Sequence, residues 1–263
     1  MNVLRSRDNP RVRRWEELAH NPRARRSAGK AIIEGPHLVA AYLAGGGVPA
    51  CVIASEQGAG NREIASLIRG AGVAPALVSG RVFSLIAGTE TPVGIAAEIV
   101  LPHAQPELAG SPCCALLDGI QDPANVGTIL RSAAAFGVED IVLGPGCADP
   151  WSPKALRAGM GAHFGLRIGS SRNLSGEIAS FDGVVVCTVP QGGTPVAEAD
   201  LNRRICWILG SEGQGVSRSL AARADLKVTI PMPGTAESLN VAAAAAICFY
   251  ERNRQLSTRG ARS

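Results

Sequence analysis

The stretch that most constrains this chain runs over residues 226–247, Leu-Lys-Val-Thr-Ile-Pro-Met-Pro-Gly-Thr-Ala-Glu-Ser-Leu-Asn-Val-Ala-Ala-Ala-Ala-Ala-Ile. A largely apolar strand over 226–230 meets Pro231, Pro233 and Gly234, which cannot continue a central strand, so the chain must turn there. Ser238 and Asn240 then stand before an alanine run, where a short polar side chain can accept hydrogen bonds from the first free helical N–H groups. The pattern predicts a helix over 240–254 whose opening turns carry little more than methyl groups, so another backbone can pack close to it. Alone, this is a strand, a loop and a capped helix.

Two further stretches make it specific. Residues 205–217, Ile-Cys-Trp-Ile-Leu-Gly-Ser-Glu-Gly-Gln-Gly-Val-Ser, read as a buried strand emptying into a loop with Gly210, Gly213 and Gly215. Glycines at such a place let a backbone approach a ligand closely or take positive φ. Residues 116–143 hold an apolar strand, the polar loop Gln-Asp-Pro-Ala-Asn, a helix over 126–136 and a second apolar strand.

Together, Asp-Pro-x-Asn-x-Gly-x-x-x-Arg around Asn125 and Arg131, Leu-Gly-x-Glu-Gly from Leu209, and Ile-Pro-Met-x-Gly followed by Ser-Leu-Asn-Val from Ile230 resemble the three signature motifs of the SpoU (TrmH-type) RNA ribose 2'-O-methyltransferases, in family order. The likeness covers about residues 112–252 and extends more weakly over the N-terminal part. It implies a SPOUT α/β catalytic domain with a parallel sheet and a C-terminal trefoil knot, preceded by a small α/β, L30e-like RNA-binding domain. Spacing alone would not have shown a knot, since chains almost never thread loops.

Composition agrees with a globular protein of that kind. The 263 residues are long enough for two modest domains with real cores, 46% are hydrophobic and 18% charged, and no apolar run approaches the ~20 residues of a membrane span. The first residues lack a secretory apolar core, so a cytoplasmic location is expected. Seven cysteines, at 51, 113, 114, 147, 187, 206 and 248, form no Cys-x-x-Cys and mostly sit in apolar segments, which reads as reduced small hydrophobes without metal. Residues 1–30 hold nine Lys or Arg against three Asp or Glu, a local +6 within a net +4, so the rest of the chain sums to −2. Arg5, Arg11, Arg13, Arg14, Arg25, Arg26 and Lys30 in this segment are the expected RNA contacts, because each neutralised phosphate releases counterions.

Between residues 31 and 100 short strands (31–35, 52–54, 76–78, 94–100) alternate with helices (37–43, 61–69), and a helical turn is expected over 81–86. This pattern resembles the substrate-binding domain that often precedes the SpoU catalytic domain, with Asn9-Pro10, Glu34-Gly35-Pro36-His37 and Thr91-Pro92-x-Gly94 at matching places. Three prolines mark 101–112 as a linker, giving domains at 1–100 and 113–263. Strands are expected at 114–117, 141–143, 184–189, 206–209 and 226–230. A parallel sheet then follows from strands alternating with helices, and its ligands bind beyond the carboxyl ends of the strands. A dinucleotide-binding enzyme fails on order, because the glycine-rich loop follows the fourth expected strand instead of the first, and no phosphate-binding P-loop occurs.

The resemblance implies methyl transfer from S-adenosylmethionine to a ribose 2'-hydroxyl. The sulfonium already activates the methyl group, so alignment matters more than a strong base, and no histidine lies in any motif. Arg131 is the foremost catalytic candidate: it can clamp a phosphate bidentately and stabilise oxyanion character on the ribose, but a guanidinium does not act as a proton acceptor. Asn125 is expected to orient the hydroxyl or the loop, Glu212 to accept a proton or fix Arg131, and Ser238 and Asn240 to contact substrate or cofactor besides capping. Gly210, Ile230, Met232 and Leu239 match the family positions that enclose the adenosine. SpoU relatives are homodimers, so a dimer is expected, with Arg131 serving the neighbouring pocket as one arrangement. Ribosomal RNA is the favoured substrate because of the N-terminal domain. A tRNA ribose methyltransferase, an antibiotic-resistance enzyme of the same layout and a non-catalytic RNA-binding assembly factor are the alternatives.

Overall fold

The computed structural model describes residues 2–103 and 105–260, with side chains to residue 258. The chain divides into two compact units, one built from the residues up to 103 together with Asp149–Phe164, the other from the remainder. Both are mixed α/β, and the second contains a parallel sheet.

The first unit contains helices α1 (Pro10–His20), α2 (Pro22–Ala28), α3 (Pro36–Ala44), α4 (Glu56–Ala59), α5 (Arg62–Gly70) and α6 (Gly80–Ile86), with strands β1 (Lys30–Glu34), β2 (Cys51–Ser55), β3 (Ala76–Val78) and β4 (Ile95–Val100). The strands form one sheet in the order β1-β4-β2-β3, antiparallel except for β2 and β3. Alternate residues of each strand point to opposite faces, and both faces are covered. Val12, Trp15 and Leu18 of α1 and Phe83 of α6 pack with Ile32, Ile53 and Ala96, while Leu38 of α3 and Ile64 of α5 pack with Ile33, Val52 and Ile95. Two Asn-Pro pairs start helices by one mechanism: Asn9 Oδ1 accepts from Arg11 N at 2.9 Å and Asn21 Oδ1 from Arg23 N at 2.9 Å, with proline first in each helix.

A carboxylate interrupts this apolar sheet. Glu98 on β4 is fully buried but accepts from Trp15 Nε1 at 2.9 Å, Lys30 Nζ at 2.8 Å and the Arg14 guanidinium. Burial alone would raise its pKa; these donors outweigh burial and hold the carboxyl below its ordinary range.

Asp149–Phe164 includes α8 (Pro153–Gly159), whose Leu156 joins the α3 side of this core. His163 in the same segment is buried, donates from Nε2 to Pro150 O at 2.8 Å and lies 5.3 Å from the Trp151 ring. Burial lowers its pKa from 6.5 to about 4. Between those values the unfolded chain binds a proton that the folded unit does not, so stability is full above pH ~6.5 and falls as pH drops toward ~4, by about 3 kcal/mol. His163→Gln keeps a donor for Pro150 and should flatten that part of the thermal-stability profile. An unchanged acid slope in the variant would contradict the assignment.

The second unit adds β5 (Cys113–Asp118), α7 (Pro123–Ala135), β6 (Asp140–Leu143), β7 (Arg167–Ser170), α9 (Leu174–Ala179), β8 (Val184–Thr188), β9 (Thr194–Pro195), β10 (Ile205–Gly210), α10 (Arg218–Ala221), β11 (Leu226–Thr229) and α11 (Val241–Gly260). Its seven strands run parallel in the order β7-β6-β5-β10-β8-β11-β9. The glycine-rich loop therefore follows the sixth strand of the unit, not the fourth as expected, and the order argument against a dinucleotide fold is unaffected. Val126, Ile129 and Leu130 of α7 and Ala242, Ala245 and Phe249 of α11 cover one face around Trp207. Leu174 and Ile178 of α9 and Leu220 of α10 cover the other around Leu116 and Ile208. The alanine run is thus divided: Ala242 and Ala245 are consumed in the core, and Ala243 faces out. With every strand parallel, the carboxyl ends of β5, β8, β10 and β11 share one edge, which is where a ligand site belongs.

Candidate active site

Three loops meet at that edge. The one after β10 folds back on itself: Gly215 takes φ 66° and its N–H donates to Ser211 O at 2.8 Å. A β-carbon on Gly210 would overlap the backbone of Gly215 and Val216, so only glycine fits there. Asp118, at the end of β5, accepts from Ser217 N at 2.8 Å and ties the loop to the neighbouring strand. Nothing in the motif reading singled out Asp118, although Asp-Gly at a strand end was the available signal.

The 211–217 loop, the 230–240 loop and the end of β8 enclose a cavity of about 330 Å³, within the range of cofactor sites. Ile230, Met232, Leu239, Val189 and Ala244 give it apolar walls, and Gly210 and the glycines of the loop after it leave backbone unobstructed. Glu212, Gln214 and Ser238 are polar groups on its lining. All four residues read as cofactor contacts, Gly210, Ile230, Met232 and Leu239, lie on this wall. Burial pushes the wall thiols Cys187 and Cys248 up to about 11 and about 12, so both stay protonated at neutral pH and are no nucleophiles. Among the described residues no cluster of three or more His, Cys, Asp or Glu side chains could hold a metal ion.

Side chains from all three motifs are hydrogen-bonded to one another. Asn240 Oδ1 accepts from Ala242 N at 2.9 Å and Ala243 N at 3.3 Å, capping α11. With its oxygen fixed by the helix, Asn240 must present its amide nitrogen outward, and Nδ2 donates to Asn125 Oδ1 at 3.0 Å. That in turn directs the Asn125 nitrogen to the Glu212 carboxylate. The helix N-terminus thereby sets the orientation of two side-chain amides in series, the last aimed at a carboxylate on the cavity wall. Asn125 owes its place to α7, where Asp122 accepts from Ala124 N at 2.9 Å and Pro123 starts the helix. Ser238 reaches the cavity but makes no capping bond among the described residues.

Arg131 lies two turns further along α7, exposed, outside the cavity wall and without a hydrogen bond or ion pair among the described residues. The structure therefore joins Asn125, Glu212 and Asn240 and leaves Arg131 on the surface of the same unit.

The seven cations read as RNA contacts in the first unit fare unequally. Arg25 is a correction: it is 2% exposed, donates to Asp149 Oδ2 at 2.7 Å and to Leu18 O and Ala19 O at the end of α1, and serves the fold. Arg14 and Lys30 neutralise Glu98. Arg5 and Arg13 pair with Glu56 and Asp8, both at 2.6 Å, in exposed bridges worth little and open to exchange for phosphate. Arg11 sits over Trp15 at 5.0 Å. Arg26 is exposed, with no ion pair among the described residues.

Known proteins share this chain's sequence pattern and fold. A family model described as the SpoU rRNA Methylase family matches residues 112–250, and one described as an MRM3-like substrate binding domain matches residues 9–97. The chain is 36% identical over 95% of its length to the 23S rRNA (guanosine(2553)-2'-O)-methyltransferase RlmP of Bacillus subtilis (strain 168), covering 98% of that protein. A putative RNA methyltransferase of the TrmH family from Porphyromonas gingivalis superposes with a TM-score of 0.80 at 32% identity, over 94% of this chain and 98% of that one. An AdoMet-bound rRNA methyltransferase from Sinorhizobium meliloti superposes with a TM-score of 0.80 at 27% identity, over 97% and 98%.

Proposed function

Because the chain belongs to the SpoU rRNA methylase family, we propose that it transfers a methyl group from S-adenosylmethionine to a ribose 2'-hydroxyl of ribosomal RNA. The observation that carries this reading is the bonded set Asn240, Asn125 and Glu212 beside the cavity. The cavity fits the cofactor: Ile230, Met232 and Leu239 supply aliphatic surface for an adenosine, the 211–217 loop supplies backbone at close range, and Glu212 supplies negative charge. When bound, S-adenosylmethionine supplies a methyl group made electrophilic by its sulfonium. The chain's own work is placement. Asn125 and Glu212, held in orientation through Asn240, position the incoming hydroxyl and the loop. Arg131 clamps a phosphate and stabilises negative charge growing on the ribose oxygen.

The substrate assignment is tested by mapping 2'-O-methyl groups in cells with and without the protein. One ribosomal RNA position should lose its methyl group in the deletion strain. Loss confined to tRNA would select a tRNA enzyme, and no loss in either would leave an RNA-binding assembly factor. Such a substrate is met in the cytoplasm, and no helix among the described residues is long and apolar enough to cross a membrane.

The dimer is part of the same reading. The outward face of α11 exposes Ile247 (37%) and Tyr250 (53%), large apolar side chains on one face at helical spacing. Two copies paired through this face would bring exposed α7 surfaces, with Arg131, toward the partner's pocket. Tyr250→Glu should shift sedimentation from dimer to monomer; an active native monomer would remove the idea.

A further inference from the structure

We infer that the first unit carries a contact for an unpaired nucleobase of the RNA substrate, centred on Met160; this rests on the ribosomal RNA reading above. Met160 is the single non-glycine residue with positive φ among the described residues, at φ 49° and ψ 39°, closing α8 in the left-handed conformation. A C-terminal cap of that shape ordinarily falls to glycine, since a β-carbon there is crowded by the following carbonyl. The adjoining Gly161 is also left-handed, at φ 88°, and has a separate reason to be glycine: its β-carbon would stand 2.7 Å from Ala41 Cβ. At position 160 the chain keeps a strained methionine and leaves 43% of it exposed, so the side chain does not gain its place by burial.

The surroundings suit a base. Exposed His37 donates from Nε2 to the Met160 backbone carbonyl at 3.2 Å, which ties the loop to the start of α3 and brings an exposed imidazole to residue 160. Arg157, one turn back on α8, is 39% exposed, and its ion pair with Glu34 spans 3.8 Å, too long for a hydrogen bond. Glu34 spends its carboxylate on Gly88 N at 2.8 Å and Thr89 Oγ1 at 2.7 Å; Arg157 Nη1, which faces it, is buried without a hydrogen-bond partner, and the exposed remainder of the guanidinium is left for a phosphate oxygen. A polarisable thioether at 160, an imidazole bonded to its carbonyl and a guanidinium three residues back are the groups a splayed-out nucleotide would use: base against sulfur and ring, phosphate against arginine.

The test is Met160→Gly in the full-length protein, with Met160→Leu as companion. Glycine relieves the left-handed strain, so Tm should rise by about 2–4 °C, while the Kd for a 23S rRNA transcript rises roughly three- to tenfold and that for S-adenosylmethionine stays put. Leucine retains the strain and an apolar surface and should keep RNA affinity within about twofold. A stabilised glycine variant that binds the transcript as tightly as the native protein overturns the inference alone. A native protein that neither binds nor methylates the transcript overturns the function from which it was drawn.

Discussion

Arg131→Ala is expected to lower the single-turnover methylation rate by about 10²–10³ while leaving the Kd for S-adenosylmethionine, measured by calorimetry, within about twofold. The separation follows from where the residue sits. Arg131 is outside the cavity wall, exposed on α7 and bonded to nothing among the described residues, so truncating it removes neither a cofactor contact nor a stabilising pair. On the proposed mechanism, what is lost is a fork that matches a phosphate and stabilises charge that develops only during transfer. Arg131→Lys should recover only part of the rate, because an ammonium keeps the charge but not the two parallel donors. Near-native turnover of the alanine variant would take Arg131 out of the mechanism.

The second large effect is expected at Asn240, where two roles can be separated by one atom. Asn240→Asp retains an oxygen that caps α11 as well as the amide did, so Tm should change little. The aspartate cannot donate to Asn125 Oδ1, now 3.0 Å from an oxygen instead of a nitrogen. Asn125 must turn or move, and its hold on Glu212 goes with it. Leaving such a polar partner unmatched costs about 1–3 kcal/mol, which predicts a ten- to hundredfold fall in the methylation rate. Asn240→Ala loses cap and relay together and should depress both rate and Tm. Equal activity of the aspartate variant and the native protein would show that Asn240 is a cap and nothing more.

The site was legible in the sequence because its loops announce themselves. Pro231, Pro233 and Gly234 end a strand, Gly210, Gly213 and Gly215 open a loop, and the polar run over 121–125 separates a strand from a helix, each through local backbone chemistry; the helix itself begins at Pro123, three residues before the expected start. Their meeting was not legible from local pattern: β10 lies between β5 and β8, an order that depends on long-range pairing, and only the family likeness grouped the three loops in one site. Elements without a local signal were missed. Strand β7, Arg-Ile-Gly-Ser, has one apolar residue among four and is held by Arg167 donating to Asp140 at 2.6 and 2.7 Å. Helix α2 was missed for a different reason, since its Asn21-Pro22 start repeats the Asn9-Pro10 signal in a segment read for charge alone. Charge counting likewise showed nine cations in the first thirty residues but not their partners. Arg25, Arg14 and Lys30 are committed inside the fold, to Asp149 and Glu98, and a list of residues carries no distances.

The most direct measurement is a crystal structure of the protein grown with S-adenosylmethionine. Adenosine density between the 211–217 loop and Leu239, with Asn125, Glu212 and Asn240 still bonded and turned toward the methyl group, is the predicted result. Cofactor density elsewhere on the chain, or an empty cavity in crystals of catalytically active protein saturated with cofactor, would contradict the pocket on which every role above depends.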